Sequence, residues 1–325
     1  MRVIFTQKYR KDSGLYEPPN CMKLVTFKTN TGDTKAGLLT AGGIVDLAKA
    51  SNGQLPDNML SFIDKHEGYT QVISGLSLGT AQPDYALTDV TLLAPLPNPR
   101  SFRDYVAFEQ HMLNAGKTFG HPVAPVWYEM PIFYFTNHQA ISGTGQDIAR
   151  PPLCQKLDYE LEMACIIGKQ GANIKADEAE DYIFGYTVFN DWSARDIQRA
   201  EMGMPLGPHK GKDFANTIGP CIVTKDEMNQ YRTGNDRFDV RMTSKINGQL
   251  ICDGNFKTIH YTFGQMIERA SENGVTLYPG DILGSGTVGW GSLIETNFAA
   301  HRPLEPGDEV EMEIQGIGIL NNKVV

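Results

Sequence analysis

Leu157-Asp158-Tyr159-Glu160-Leu161-Glu162-Met163-Ala164-Cys165-Ile166-Ile167 alternates between apolar and acidic residues and then turns apolar throughout. Alternation at period two marks a strand, and residues two apart share one face, about 6.6 Å from each other. Glu160 and Glu162 therefore project together, with Asp158 on the same face, while Leu157, Tyr159, Leu161 and Met163 take the other. The apolar end runs the strand into a core. Neighbouring carboxylates at the edge of a core repel, and they need a cation, a shared proton or solvent. Taken alone, the stretch equally fits a strand with a wet acidic face.

Working outward, Tyr182–Asn190 reads as a buried strand that ends in Asn190-Asp191-Trp192-Ser193-Ala194-Arg195-Asp196. An acid at a strand's end is a usual place for a ligand group. The competing reading makes Asp191 the N-cap of a helix over Trp192–Met202. Arg195 can serve a substrate carboxylate or pair with Asp191. Upstream, Phe102–Gly116 reads as a helix that puts Asp104 and His111 on one face, about 10 Å apart along the axis. A lone histidine in that setting is more often structural. The glycine-containing loop Leu206–Ala215 carries Lys210 and Lys212 but has no G-x-x-x-x-G-K-[ST] spacing, so it is no P-loop. A solvated loop is the alternative. Gly284-Ser285-Gly286-Thr287-Val288-Gly289-Trp290-Gly291-Ser292 follows the strand Ile282-Leu283. Its glycines allow a ligand close to the backbone, or simply make a tight turn. The spacing fails as a dinucleotide fingerprint. Glu295 interrupts what reads as an apolar strand, Leu293-Ile294-Glu295-Thr296.

Across the chain, short strands outnumber helices. Met22–Thr29, Thr34–Leu39, Gly43–Leu47, Pro131–Thr136, Phe238–Ile246, Thr276–Leu283 and Glu309–Ile314 read as strands. Asn58–His66, Ala176–Tyr182 and Thr262–Asn273 read as helices. No regular strand–helix–strand alternation appears, which favours a β-rich α+β fold, a rolled sandwich of mixed sheets, over a doubly wound sheet. The 325 residues suggest roughly two domains. Pro95-Leu96-Pro97-Asn98-Pro99 marks the boundary between a small N-terminal α+β module at 22–95 and a larger domain at 96–325. Residues 1–21 read as a loose extension. Hydrophobic residues are 41%, and 29 Lys+Arg stand against 38 Asp+Glu for a net charge of −9. That balance argues against nucleic-acid and anionic-membrane partners. No apolar run is long enough to span a bilayer. Five scattered cysteines with no C-x-x-C pair argue against a disulfide scaffold or a thiolate zinc site, and for a reducing, cytoplasmic compartment.

Taken together, the motifs are similar to those of the fumarylacetoacetate hydrolase family. The resemblance rests on Asp104…His111-Met112-Leu113-Asn114, Asp158–Glu162, Asn190–Gln198, Gly207–Phe214 and Gly284–Thr287…Glu295, in the family's order. It implies a mixed β-roll catalytic domain, a homodimer and a β-diketo acid substrate. It also implies one divalent cation, with Asp104, Glu160, Glu162 and Asp191 as ligands. An all-carboxylate set suits Mg²⁺, Ca²⁺ or Mn²⁺ rather than zinc. The family's histidine–glutamate pair maps to His111 and Glu295 and its site lysine to Lys212, while Arg195, Gln198 and Thr287 map to substrate contacts. The implied reaction is hydrolysis of a carbon–carbon bond. In it His111 activates water, the cation stabilises an enolate leaving group, and Lys212 serves the oxyanion or the carbanion. Decarboxylation, isomerisation and hydration share the same enolate, and a non-catalytic metal-stapled protein is the remaining alternative. Several relatives carry H-x-x-E on the histidine's helix, where this chain has Asn114. Other departures are Asn216 for a threonine, with Thr217 beside it to supply the hydroxyl, Gly120 for a substrate-binding arginine and Val106 for a tyrosine.

Overall fold

The computed structural model describes residues 22–76, 82–234 and 236–325. The expected loose extension at 1–21 lies outside the described residues. The chain opens with β1 (Lys23–Thr29), β2 (Thr34–Thr40), β3 (Gly43–Asp46) and α1 (Met59–Asp64). Next come β4 (Phe102–Tyr105), α2 (Glu109–Phe119), β5 (Phe133–Phe135), β6 (Leu157–Asp158) and β7 (Leu161–Ile167). They lead into β8 (Ile183–Asp191), α3 (Arg195–Glu201) and β9 (Asn216–Thr224). The last part holds β10 (Arg241–Ile246), β11 (Gln249–Asn255), α4 (Phe263–Ser271), β12 (Ile282–Gly284), β13 (Glu309–Ile314) and β14 (Gly318–Lys323).

The main sheet runs β3-β2-β1-β9-β8-β7-β12-β4-β5, with β12 and β4 parallel and the other neighbours antiparallel. A second sheet runs β11-β10-β13-β14. This is the strand-rich α+β architecture that the sequence predicts. In β7 and β8 every residue is buried, which explains their near-continuous apolar runs. In β13 Val310, Met312 and Ile314 face the core while Glu309 and Glu313 face solvent, the alternation of a sheet wetted on one side. Asn247 and Gly248, both left-handed at φ 51° and 82°, make the tight turn between β10 and β11. The strands at 22–95 are not set apart from the rest. β1 pairs with β9 (Leu24 opposite Ile222), and Leu24, Phe62, Phe102, Ile166 and Ile218 share one apolar cluster.

Several local expectations are corrected. Phe102–Gly116 is not one helix. Its first four residues form β4, hydrogen-bonded to β12 on one side and β5 on the other, and the helix begins only at Glu109. Those partners lie about 30 and 180 residues downstream, so the helical spacing of apolar residues misleads. Ser193–Ala194 pairs with β6, which keeps the chain extended and delays α3 to Arg195. Strand structure in Thr276–Leu283 is confined to its end, because a turn tied by the Tyr278 N–H to Asp281 Oδ2 (2.8 Å) precedes β12. Leu293–Thr296 is a 3₁₀ helix rather than a strand. It is closed by a capping box in which Ser292 and Glu295 satisfy each other's backbone.

Candidate active site

The site forms where β4, β7 and β8 bring their acids together. Asp104 lies on β4, in register with Gly284 of β12 and Tyr134 of β5. A Cβ at Gly284 would lie 2.4 Å from Asp104 Oδ1, so glycine is the residue that leaves room for the carboxylate. Glu162 sits on β7 opposite Phe189, and Asp191 ends β8 opposite Asn216. Glu160 falls in the break between β6 and β7, where Asn190 Oδ1 accepts its backbone N–H at 3.1 Å. Asp104, Glu160, Glu162 and Asp191 are all buried, and one oxygen from each lies within 4.8 Å of the others.

That break corrects the reading of Asp158. It does not share the face of Glu160 and Glu162. Its carboxylate turns to the backbone N–H groups of Leu293 and Ile294 at 2.9 and 3.0 Å, and to Arg195 Nε at 2.8 Å. Asp191 is not a helix cap either. Ala194 occupies the cap position of α3 and Asp191 stays in the strand. Arg195 pairs with Asp158 and Glu160 (both 2.8 Å) rather than with Asp191, and donates to Gln198 Oε1 at 3.1 Å. Lys212 Nζ bridges Glu160 Oε2 and Asp191 Oδ2, each at 2.5 Å. Burial disfavours the charged ammonium, but Asp191 and Glu160 outweigh it and raise its pKa.

Three buried carboxylate oxygens, Asp104 Oδ1, Glu162 Oε1 and Asp191 Oδ1, have no hydrogen-bond partner among the described residues. Buried polar atoms without partners are costly and call for an explanation. A bound divalent cation would supply one. The donors are all hard oxygens, as Mg²⁺, Ca²⁺ or Mn²⁺ require, and among the described residues no thiolate or imidazole joins the set to suit zinc.

His111 stands over this cluster on α2. Its Nδ1 lies 3.0 Å from Glu295 Oε1 without the alignment of a straight hydrogen bond, and its Nε2 lies 3.9 Å from Glu160 Oε1. Asp104 is on β4, so the two do not share a helix face as expected. Glu295 also accepts from the Trp290 N–H (2.6 Å), Asn114 Nδ2 (2.8 Å) and Ser292 N and Oγ (3.2 Å each). Burial acts to raise its pKa, yet His111, Asn114 and Trp290 together hold it below the ordinary glutamate range.

A cavity of ≈720 Å³ opens above the carboxylates, and Arg195, Gln198 and Thr287 all line it. Glu201 fills the backbone N–H groups of His209, Lys210 and Gly211. Those three N–H groups are therefore not free to bind a phosphate. Thr217 Oγ1 accepts from Trp192 Nε1 at 2.8 Å, so it does not replace the missing threonine hydroxyl at the acid cluster. Gly120 ends α2 in a left-handed conformation, φ 75°.

Sequence reasoning missed Tyr134, whose Oη donates to Asp191 Oδ2 at 2.7 Å. Nothing local in Phe133–Phe135 flags it, because only the pairing of β5 with β4 aims it at the site. It also took Asn114 as a lost acid, whereas its amide is a donor to Glu295. The turn of Glu295 was open to sequence reading, since Ser292-Leu293-Ile294-Glu295 has the S-x-x-E pattern of a capping box.

Residues 100–325 match the family model described as Fumarylacetoacetate (FAA) hydrolase C-terminal. The chain belongs to the fumarylacetoacetate hydrolase family. It is 32% identical to the bovine protein named oxaloacetate tautomerase FAHD2B, mitochondrial, over 95% of this chain and 94% of that one. It is also 32% identical to human fumarylacetoacetase, over 64% of this chain and 61% of that one. The solved structure of a fumarylacetoacetate hydrolase from Exiguobacterium antarcticum is 26% identical, with a TM-score of 0.70 over 93% of this chain and 99% of that one. The family's members thus carry more than one reaction. Among the described residues no helix is long and apolar enough to cross a membrane.

Proposed function

We propose that this fumarylacetoacetate hydrolase family protein cleaves a carbon–carbon bond in a β-diketo acid by hydrolysis. The observation that carries the reading is His111, held between Glu295 at 3.0 Å and the acid cluster at 3.9 Å. Asp104, Glu160, Glu162 and Asp191 would hold a divalent cation, which supplies Lewis-acid polarisation of a carbonyl and offsets the negative charge of an enolate leaving group. His111 takes a proton from water, with Glu295 fixing its ring and favouring the imidazolium that forms. The hydroxide adds to the distal carbonyl carbon. Lys212, the buried ammonium between Glu160 and Asp191, faces the oxyanion or returns a proton to the departing carbon. Arg195 positions Glu160, and Gln198 and Thr287 contact substrate from the cavity wall.

One observation favours a second reading, keto–enol tautomerisation of an oxaloacetate-like acid. The tautomerase relative is matched along 95% of this chain, including the strands before residue 100, and fumarylacetoacetase along 64%. In that case His111 takes its proton from carbon and no water attacks.

Fumarylacetoacetate, a series of acylpyruvates and oxaloacetate, each followed by enol absorbance with Mg²⁺ and with EDTA, separate the two. Hydrolysis consumes the enol and releases two carboxylic acids, one of them a keto acid. Tautomerisation shifts the absorbance with no new product, and an inert protein does neither. The active form is proposed to be a homodimer in a reducing, cytoplasmic compartment. Exposed Leu153, Met204 and Leu206 and the buried free thiols Cys154, Cys165, Cys221 and Cys252 support this.

A further inference from the structure

Glu295, the partner assigned to His111, is itself held from two directions. Its Oε1 accepts from the Ser292 N–H and Oγ at 3.2 Å each and lies 3.0 Å from His111 Nδ1. Its Oε2 accepts from the Trp290 N–H at 2.6 Å and from Asn114 Nδ2 at 2.8 Å. The Ser292 and Trp290 donors belong to the carboxylate's own turn. Asn114 reaches it from α2, the helix that carries His111. His111 and Asn114 stand at i and i+3, a spacing that shares one helix face. Asn114 therefore sets the carboxylate's position relative to the imidazole, which the donors of its own turn do not. Thr118 Oγ1 ties the same helix to the Ile294 carbonyl at 3.1 Å.

What faces the amide fixes its orientation. An ionised carboxylate only accepts, so the NH₂ end turns to Glu295 and the carbonyl end needs a donor. Gln110 Nε2 is that donor, 2.8 Å from Asn114 Oδ1. Gln110 in turn lies against Gly289, where a Cβ would come within 2.8 Å of the glutamine's Cβ and Cγ. Gly289 precedes Trp290, so the chain Gln110–Asn114–Glu295 closes on the loop from which it starts. Asn114 is buried and is not among the residues that line the cavity, so it does not touch substrate. An acid in its place would set a second carboxylate against Glu295, and neighbouring carboxylates repel. We propose that Asn114, set by Gln110, is a positioning residue that holds the Glu295 carboxylate against His111 Nδ1 and so leaves the Nε2 lone pair facing the cavity. This rests on the reading of His111 as the group that takes the proton.

The test measures kcat and KM for an acylpyruvate, and Mn²⁺ affinity, in the wild type, Asn114→Ala, Glu295→Gln and the double variant. Asn114→Ala should lower kcat by about ten- to a hundredfold, the scale of a misplaced catalytic group, with KM and Mn²⁺ affinity near wild type. In the Glu295→Gln background the same substitution should cost nothing further, because it acts through that carboxylate. Full kcat in Asn114→Ala, or a loss that multiplies with that of Glu295→Gln, overturns the proposal. Should Asn114→Ala fail to fold, Gln110→Ala, at the exposed end of the chain, takes its place. A few-fold loss of kcat that is absent in the Glu295→Gln background supports the proposal, and wild-type kcat overturns it. If no acylpyruvate turns over, the hydrolase reading falls and the imidazole itself decides the positioning. Nitrogen-15 spectra of histidine-labelled, Mg²⁺-loaded protein at pH 8 report which ring nitrogen of His111 carries the proton. A single Nδ1–H form in the wild type that becomes a mixture in Asn114→Ala upholds the proposal. The same spectrum in both proteins overturns it.

Discussion

Glu160 and Glu162 stand two residues apart and meet opposite surroundings. Glu160 lies 2.8 Å from Arg195, 2.5 Å from Lys212 and 3.9 Å from His111. Burial works to raise its pKa, but Arg195 and Lys212 prevail and hold it well below the ordinary glutamate range. Glu162 has the Gly286 N–H at 2.7 Å on one oxygen, and no hydrogen-bond partner on the other. Burial, then the charge of Asp104, pushes it well above the ordinary range. The helix side of the cluster is neutralised by the protein's own cations, and the sheet side is left for a charge from outside. A cation held here, as proposed, would meet one half whose charge the protein already balances. It would meet another half whose charge the protein leaves unbalanced.

The largest contrast is expected from mutating the two acids separately. Both Glu160→Ala and Glu162→Gln should abolish tight divalent binding and activity. Their effects on metal-free stability should have opposite signs. Glu160→Ala leaves Arg195 and Lys212 short of a partner, and breaking a buried pair costs about 3–5 kcal/mol. Glu162→Gln removes a buried repulsion and should raise the melting temperature in EDTA. Denaturant melts and Mn²⁺ calorimetry on both variants check this. A Glu162→Gln protein less stable than the wild type in EDTA would remove the distinction between the two halves.

His111 and Glu295 sharpen the comparison, because they touch the neutralised half without belonging to the four proposed cation ligands. General base catalysis is worth about 10²–10⁴-fold. His111→Ala and Glu295→Gln should each lower kcat by about that much while Mn²⁺ affinity stays near wild type. Groups that act as one unit are not additive, so the double variant should be little slower than the slower single variant. Multiplying losses, or full activity in Glu295→Gln, would exclude the pair.

How much of this was readable beforehand follows from which forces are local. The acid pair Glu160/Glu162, the strand ending at Asp191 and the roles suggested for His111, Lys212 and Glu295 all stood in short motifs. Their convergence did not. Asp104 reaches the cluster only because β4 inserts between β12 and β5, and the spacing of Phe102, Tyr105 and Val106 imitates a helix. Asp158 looked like a third member of the acidic face, but the break at Tyr159–Glu160 turns it to the Leu293 and Ile294 N–H groups. Tyr134 carries no signal within its own strand. Pairing partners far along the chain settle these positions, and no window of sequence contains both.

The metal-free cluster should also respond to pH in a definite direction. Asp104, Glu162 and Asp191 are all pushed above their ordinary values, by burial first and by neighbouring carboxylates. The folded state therefore keeps protons that the unfolded chain gives up. Metal-free stability should fall as pH rises above the ordinary carboxylate range. Cation binding needs these groups deprotonated, so its stabilisation should grow over the same window. At a hundredfold excess over Kd a ligand adds about 2.7 kcal/mol. The difference between melts with Mn²⁺ and with EDTA should approach that figure at pH 8 and shrink by pH 5.5. A difference that grew towards acid would contradict the uncompensated half.

The smallest effect comes from a carboxylate compensated like Glu160 but far from the cavity. Asp308 accepts from Arg302 Nη1 at 2.6 Å, Asn247 Nδ2 at 2.9 Å and the Glu305 N–H at 2.8 Å. Burial opposes its charge, but Arg302, Asn247 and Glu305 prevail and lower its pKa from 3.8 to about 2. Its folded value is depressed, so its contribution is complete above the unfolded value and is lost as pH falls through about 2. The side chain of Asp308 is 5% exposed and that of Arg302 is 48% exposed, so solvent screening takes much of the pair's worth. About 1 kcal/mol remains as a reasonable size. Asp308→Asn should lower stability by about that much at pH 7 and by progressively less below pH 4. It should leave the Mn²⁺-dependent shift unchanged, because this carboxylate already has its cation. Urea melts of wild type and variant at pH 7 and pH 3, with and without Mn²⁺, measure both. If Asp308→Asn weakened the Mn²⁺ shift, compensation by the protein's own cations would not be what separates the two kinds of carboxylate.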